Sequence, residues 1–196
     1  MPSVEATVKA QFEKVFKSSD WKLFKLVAES NLAEAAFAKS RHMRIEEPLQ
    51  LLARNSRKRL LIGVGVELLL KSIYLKCGFV INRSTQEGTP KFPFAFAAVP
   101  AESLDASQTV MLNDLIQKLP TVVQMENQQA TMKGLRIAKV FRNKEGHCVT
   151  SRHAFDASNY ADVATSLTNL YRDAFNQNLD VRFSIAANER ARWELG

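Results

Sequence analysis

Glycine is scarce in this chain, at seven of 196 residues, and proline, cysteine and histidine are scarcer, at six, two and three. Each shortage excludes something. Few glycines and prolines leave too little turn chemistry for a chain of many short strands, which argues against an all-β sandwich or barrel. Two cysteines, Cys77 and Cys148, far apart and without metal-ligand spacing, exclude a multi-disulfide framework or a zinc ribbon and suit reduced thiols in a cytoplasmic protein, with a single disulfide as the alternative. Long hydrophobic runs are also missing. The most apolar stretch, Leu60 to Leu75, is interrupted by Glu67 and Lys71 and falls short of the roughly 20 residues that a bilayer requires. The N-terminal "MPSVEATVKAQFEKVFKSSDW" is charged and amphipathic, without the apolar centre of a signal peptide. No membrane partner is expected.

What is present is the balance of an ordinary globular protein, with 46% hydrophobic and 24% charged residues. The length suits one domain with a small extension, large enough to bury a core. A net charge of +7 and a pI near 9.5 lean towards anionic partners, of which nucleic acid is the commonest.

Apolar residues recur at spacings of three and four over long stretches, which predicts an all-α fold. Val4, Val8, Phe12, Val15 and Phe16 share one stripe of a helix over 4–17. A second helix is expected from about 21 to 46, ending before Pro48. The stretch "PLQLLARNSRKRLLIGVGVELLLKSIYLKCG" predicts a central helix stopped by Gly78. Residues 79–107, with Gly88, Pro90, Pro93 and Pro100, read as a long loop in which Phe92, Phe94 and Phe96 alternate as a short extended flap. "TVMLNDLIQKL", "TMKGLRIAKVFRNKEGH" and "SNYADVATSLTNLYRDAFN" predict three further helices, the last with Ser158 as N-cap. The domain reading is an N-terminal helical extension over 1–50 packed on the core, a helical domain over 51–182, and a tail over 183–196.

The chemistry concentrates in "FRNKEGHC", residues 141–148. On a helix Asn143 and His147 share a face, with Arg142 about 100° away, so the three can converge on one ligand. Gly134, Ile137, Ala138 and Phe141 gather on the opposite side, while Lys133, Arg136, Lys139 and Arg142 step round the outside. Such a set suits cleavage of RNA by its own 2′-hydroxyl. Histidine moves a proton near neutrality, arginine grips two phosphate oxygens, and the asparagine amide holds the histidine tautomer or the sugar-phosphate. Spacing alone is weak, because thirteen arginines and three histidines in 196 residues give about 0.6 such pairs by accident. The competing reading is two cations at the negative end of a helix dipole.

"RNKEGH" resembles the Arg-x4-6-His motif of the HEPN superfamily, in which a polar residue, often asparagine, follows the arginine. "VELLLKSIYLKCG" is similar to the Glu-x3-Lys helix of that family, here Glu67, Lys71 and Gly78. The likeness covers roughly residues 55–180. It implies a compact helical bundle of HEPN type with extra N-terminal helices, acting as a metal-independent endoribonuclease in a toxin or phage-defence role. It also implies a homodimer with a composite site, RNA as partner, an antitoxin as possible partner, and no cofactor or metal. Carried over by residue, Arg142 stabilises the scissile phosphate, His147 is general acid or base, and Asn143 assists. Glu67 and Lys71 are looser, supporting positions, and an intrahelical ion pair explains them equally well. Some members of the family are inactive, so a non-catalytic helical module that binds protein or RNA is the alternative.

Arg136, Lys139 and the cluster Arg57, Lys58 and Arg59 are the candidate RNA-backbone contacts, against a plain solvated helix face. Gly63 and Gly65 lack the strand and spacing of a phosphate loop and predict close helix packing instead. For the three phenylalanines, packing is preferred over base stacking. His42 and His153 have no evident partners in the sequence.

Overall fold

The computed structural model describes residues 20–37, 48–84, 91–146, 155–179 and 181–183. Among them are five α-helices: α1 (Trp21–Phe37), α2 (Pro48–Lys76), α3 (Leu112–Lys118), α4 (Gln128–Gly146) and α5 (Ala157–Phe175). Two short strands, β1 (Asn82–Ser84) and β2 (Leu104–Thr109), lie between α2 and α3. The chain divides into two compact units, Met1–Val27 with Glu67–Val123, and Ala28–Val66 with Gln124–Gly196. Both α1 and α2 contribute to each unit. The helix expected over 4–17 lies outside the described residues, as do positions 38–47 of the second expected helix.

In the first unit the second half of α2 supplies the apolar face. Leu69, Leu70, Ile73 and Tyr74 are fully buried, in keeping with a helix that is apolar nearly all round. Gly78 ends α2 as the sequence predicts, in the left-handed conformation with φ +81°. The Phe79 N–H donates to the Tyr74 carbonyl at 2.9 Å and the Gly78 N–H to that of Leu75 at 3.0 Å. These bonds define a Schellman cap, and its usual apolar contact is the Phe79 ring, 6.3 Å from that of Tyr74. The Tyr74 hydroxyl donates to the Leu115 carbonyl at 2.8 Å, tying α2 to α3.

The long loop expected over 79–107 is more structured than the sequence suggests. β1 and β2 pair antiparallel, Asn82 opposite Thr109 and Ser84 opposite Leu104, with a register irregularity between them. Phe79 and Ala95 form a separate bridge, and 3₁₀ turns occupy Phe96–Ala98 and Ala101–Ser103. A three-residue strand and the polar "LDASQT" are too short and too weakly alternating for periodicity to reveal them. The described residues are mostly helical, roughly consistent with the all-α expectation, with one small pair of strands added to it. Within this region Val80, Phe94, Val99 and Leu104 form a small apolar cluster with Phe96 against it, and Phe92 lies 4.9 Å from the Tyr74 ring. The phenylalanines therefore pack within their own unit.

The second unit is built on the pairing of α4 and α5. Leu135, Ala138 and Phe141 from α4 and Tyr160, Val163, Leu167 and Leu170 from α5 are essentially inaccessible. Gly134 permits the crossing, since a methyl there would meet the Asp162 carbonyl oxygen at 2.3 Å and Ser166 Cβ at 2.4 Å. The Ser166 hydroxyl seals the contact by donating to the Thr131 carbonyl at 2.6 Å. The cap of α5 is Asp156, not Ser158. Its carboxylate accepts from the Asn159 N–H while the Asn159 side chain accepts from the Asp156 N–H, a reciprocal box. Ser158 instead donates to that carboxylate at 2.5 Å. Asn176 closes the helix at φ 53°.

Candidate functional site

α4 is described over Gln128–Gly146, and Arg142 and Asn143 occupy the last two turns of that span. His147 lies outside the described residues, as do Cys148, His42 and His153. The expected inward face holds: Gly134, Ala138 and Phe141 are buried and Ile137 is half-buried. On the outer face Lys133 and Arg136 are exposed, Lys139 and Arg142 half-buried, and Asn143 exposed. Lys133 is partly neutralised by Asp162 at 2.7 Å.

Arg142 is the most closely held of these residues. A methyl on Gly63 of α2 would lie 2.5 Å from Arg142 Cβ, 2.8 Å from its Cα and 2.9 Å from its backbone nitrogen. The two helices therefore meet backbone to backbone at this pair, which only glycine allows without displacement. Gly65, two residues on, takes the Leu32 side chain in the same manner, with Leu32 Cγ 2.8 Å from where a methyl would sit. Close packing at both glycines is thus observed.

The cluster at 57–59 is divided in a way that the sequence does not reveal. Arg57 is exposed and pairs with Glu34. Lys58 and Arg59 are withdrawn from solvent, 5% and 9% exposed. Lys58 Nζ lies 5.9 Å from the Tyr160 ring centre, and Arg59 stacks 5.3 Å over Phe155 while reaching the Tyr160 hydroxyl at 3.5 Å. A solvated basic face over all three residues is therefore ruled out, and only Arg57 stands in the open. Their long apolar stems allow this burial beside aromatic rings.

Glu67 and Lys71 form the intrahelical ion pair at 2.8 Å, both nearly buried, with the Lys71 ammonium also donating to Thr109 Oγ1 at 2.9 Å. They belong to the first unit, whereas Arg142 and Asn143 belong to the second. The pair is satisfied within its own unit, where it joins α2 to β2.

Lys144 and Phe155 carry no mark in the sequence. Phe155 sits 4.6 Å from Phe141, which lies 5.0 Å from Tyr160, and Lys144 Nζ lies 5.7 Å from the Phe155 centre. Aromatic residues at 141, 155 and 160 beside cations at 58, 59 and 144 are the available signal, but it is visible only once the helices are paired. Elsewhere, burial pushes the Cys77 thiol up, against a smaller downward pull from Lys76, which disfavours the nucleophilic thiolate. Among the described residues no helix is long and apolar enough to cross a membrane. No protein-family model, curated protein or solved structure matches the chain.

Proposed function

We propose that this protein is a metal-independent endoribonuclease of HEPN type, active as a homodimer in a toxin or defence role. The observation that supports it most is the contact at Gly63, which fixes the backbone of Arg142 at the end of α4 beside the exposed Asn143. The contact constrains the backbone and Cβ from which the guanidinium projects, and preorganised charge is the largest single source of transition-state stabilisation in many enzymes.

In this reading Arg142 binds non-bridging oxygens of the scissile phosphate through its planar fork. The 2′-oxygen of the ribose attacks phosphorus and loses its proton, the bond to the 5′-oxygen breaks, and that oxygen takes up a proton. His147 carries out one of these transfers, and its counterpart in the second protomer is available for the other. Asn143 holds the imidazole or the sugar-phosphate. The products are a 2′,3′-cyclic phosphate and a 5′-hydroxyl.

The test is incubation of RNA with wild-type protein and with His147→Ala in EDTA, followed by analysis of the new ends. Cyclic phosphate from the wild type and none from an equally folded variant supports the reading; equal cleavage by both refutes it. A second reading, a catalytically silent helical module, draws on the withdrawal of Lys58 and Arg59 from solvent, which gives much of the expected basic surface a structural role. It predicts a gel shift of RNA without new ends.

A further inference from the structure

We infer that the cleft bordered by β1, Phe92, Phe94 and the start of α3 binds a small zwitterion, an α-amino acid with an apolar side chain. The cleft lies wholly within the first unit, and the inference does not depend on the nuclease reading. Its volume is about 300 Å³, the lower end of the range for small-molecule sites. The lining divides into three chemistries: apolar from Phe92, Phe94 and Val110, cationic from Arg83, and hydrogen-bond accepting from Asn82 and Asp114. Phe94 is buried in the cluster with Val80, Val99 and Leu104, and Phe92 leans on the Tyr74 ring at 4.9 Å, so the apolar wall is set before any ligand arrives. Asn82 is 4% exposed. Its Nδ2 donates to the Asp105 carbonyl at 3.0 Å, which leaves Oδ1 as an acceptor.

A regular strand turns Arg83 to the face opposite Asn82 and Ser84. Here the ladder is irregular between those two residues, and all three border the cleft; such irregularities re-aim side chains beside functional sites. Arg83 and Asp114 share the cleft, yet no ion pair joins them and neither side chain has another partner among the described residues. The first turn of α3 accounts for an acid at Asp114, but not for an unpaired guanidinium beside the same cleft. Opposite charges left apart in one cleft suit a ligand that carries both signs. An ammonium has donors for Asp114 and for Asn82 Oδ1 and is drawn to phenylalanine faces. A carboxylate takes the Arg83 fork. Against Phe92, Phe94 and Val110 a polar side chain would lose its water without gaining a partner, whereas an apolar one covers the wall. An α-amino acid bears all three groups on one carbon.

The experiment is calorimetric titration of the full chain with L-leucine and L-phenylalanine. Three analogues each lack one group: N-acetyl-leucine the ammonium, leucinamide the carboxylate, and glycine the apolar side chain. The wild type should bind the better of the two amino acids with millimolar affinity or tighter, and each analogue about 10-fold more weakly or worse, the share of one charge-assisted or apolar contact. Asp114→Asn and Arg83→Met should weaken amino-acid binding by a similar factor. No binding of either amino acid at about 10 mM, analogues that bind as tightly as the amino acids, or an Arg83→Met variant as tight as wild type overturns the site. Should Asp114→Asn fail to fold, the analogue series on the wild type decides by the same criterion. Guanosine 5′-monophosphate, which offers amino donors and an anion on a larger frame, is the competing ligand. If it binds more tightly than either amino acid, and does so through Arg83, the amino-acid assignment is overturned.

Discussion

Replacing Gly63 by alanine tests the contact on which the placement of Arg142 depends. The added methyl would sit 2.5 Å from Arg142 Cβ, and 2.8 Å and 2.9 Å from two of its backbone atoms. Carbon atoms rest at about 3.5–4.0 Å, so the helices must part by about 1 Å or more. Overpacking of this kind costs about 1–3 kcal/mol, and backbone neighbours cannot rotate away, which puts the cost near the top of that range. Alanine returns about 1 kcal/mol of helix propensity. The net loss is about 2 kcal/mol, read as a fall of about 1 M in the urea midpoint if the slope is ~2 kcal/mol/M. A displacement of about 1 Å at a catalytic group costs on the order of 100-fold in rate, so the proposed nuclease reading predicts that RNA cleavage falls far more than stability does. A variant that is more stable than wild type, as alanine for an exposed helical glycine would be, refutes the close crossing.

Other substitutions probe the packing. Asp156→Ala should cost about 1 kcal/mol through loss of the cap, whereas Ser158→Ala should cost under about 0.5 kcal/mol, both measured by urea unfolding; the reverse order would restore Ser158 as cap. Lys71→Met leaves Glu67 nearly buried without its partner and should cost about 3 kcal/mol, with part recovered in the Glu67→Gln/Lys71→Met double variant. Tyr74→Phe should lose about 1 kcal/mol with its bond to Leu115. Burial raises the Tyr74 pKa, so the unfolded chain releases this proton first, and stability should decline as pH climbs past the ordinary tyrosine value of about 10. Equal alkaline decline in Tyr74→Phe and wild type contradicts that assignment.

The helices were legible because their signals are local. Gly78 announces the end of α2 by a conformation that only glycine adopts freely, and the Gly134/Ala138/Phe141 stripe announces the buried face of α4. What escaped depends on partners distant in sequence. β1 is three residues long and exists through its pairing with β2, so no local period marks it. Lys58 and Arg59 look like neighbours of the exposed Arg57 until Tyr160 of α5 and Phe155 come over them. Ser158 and Asp156 are both good caps by type, and geometry alone selects the acid. At the candidate site the sequence supplied Arg142 and Asn143, while the reason for the position of Arg142, its contact with a glycine far earlier in the chain, had no signature beyond a glycine in an apolar helix.

The most direct test of the nuclease reading is the single-turnover rate of RNA cleavage in EDTA by wild type and by Arg142→Lys. Lysine keeps the charge but not the planar fork, so a folded Arg142→Lys protein should cut about 100-fold more slowly or worse, with cyclic phosphate ends from the wild type. A wild type that cuts no RNA, or a lysine variant as fast as wild type, contradicts the account.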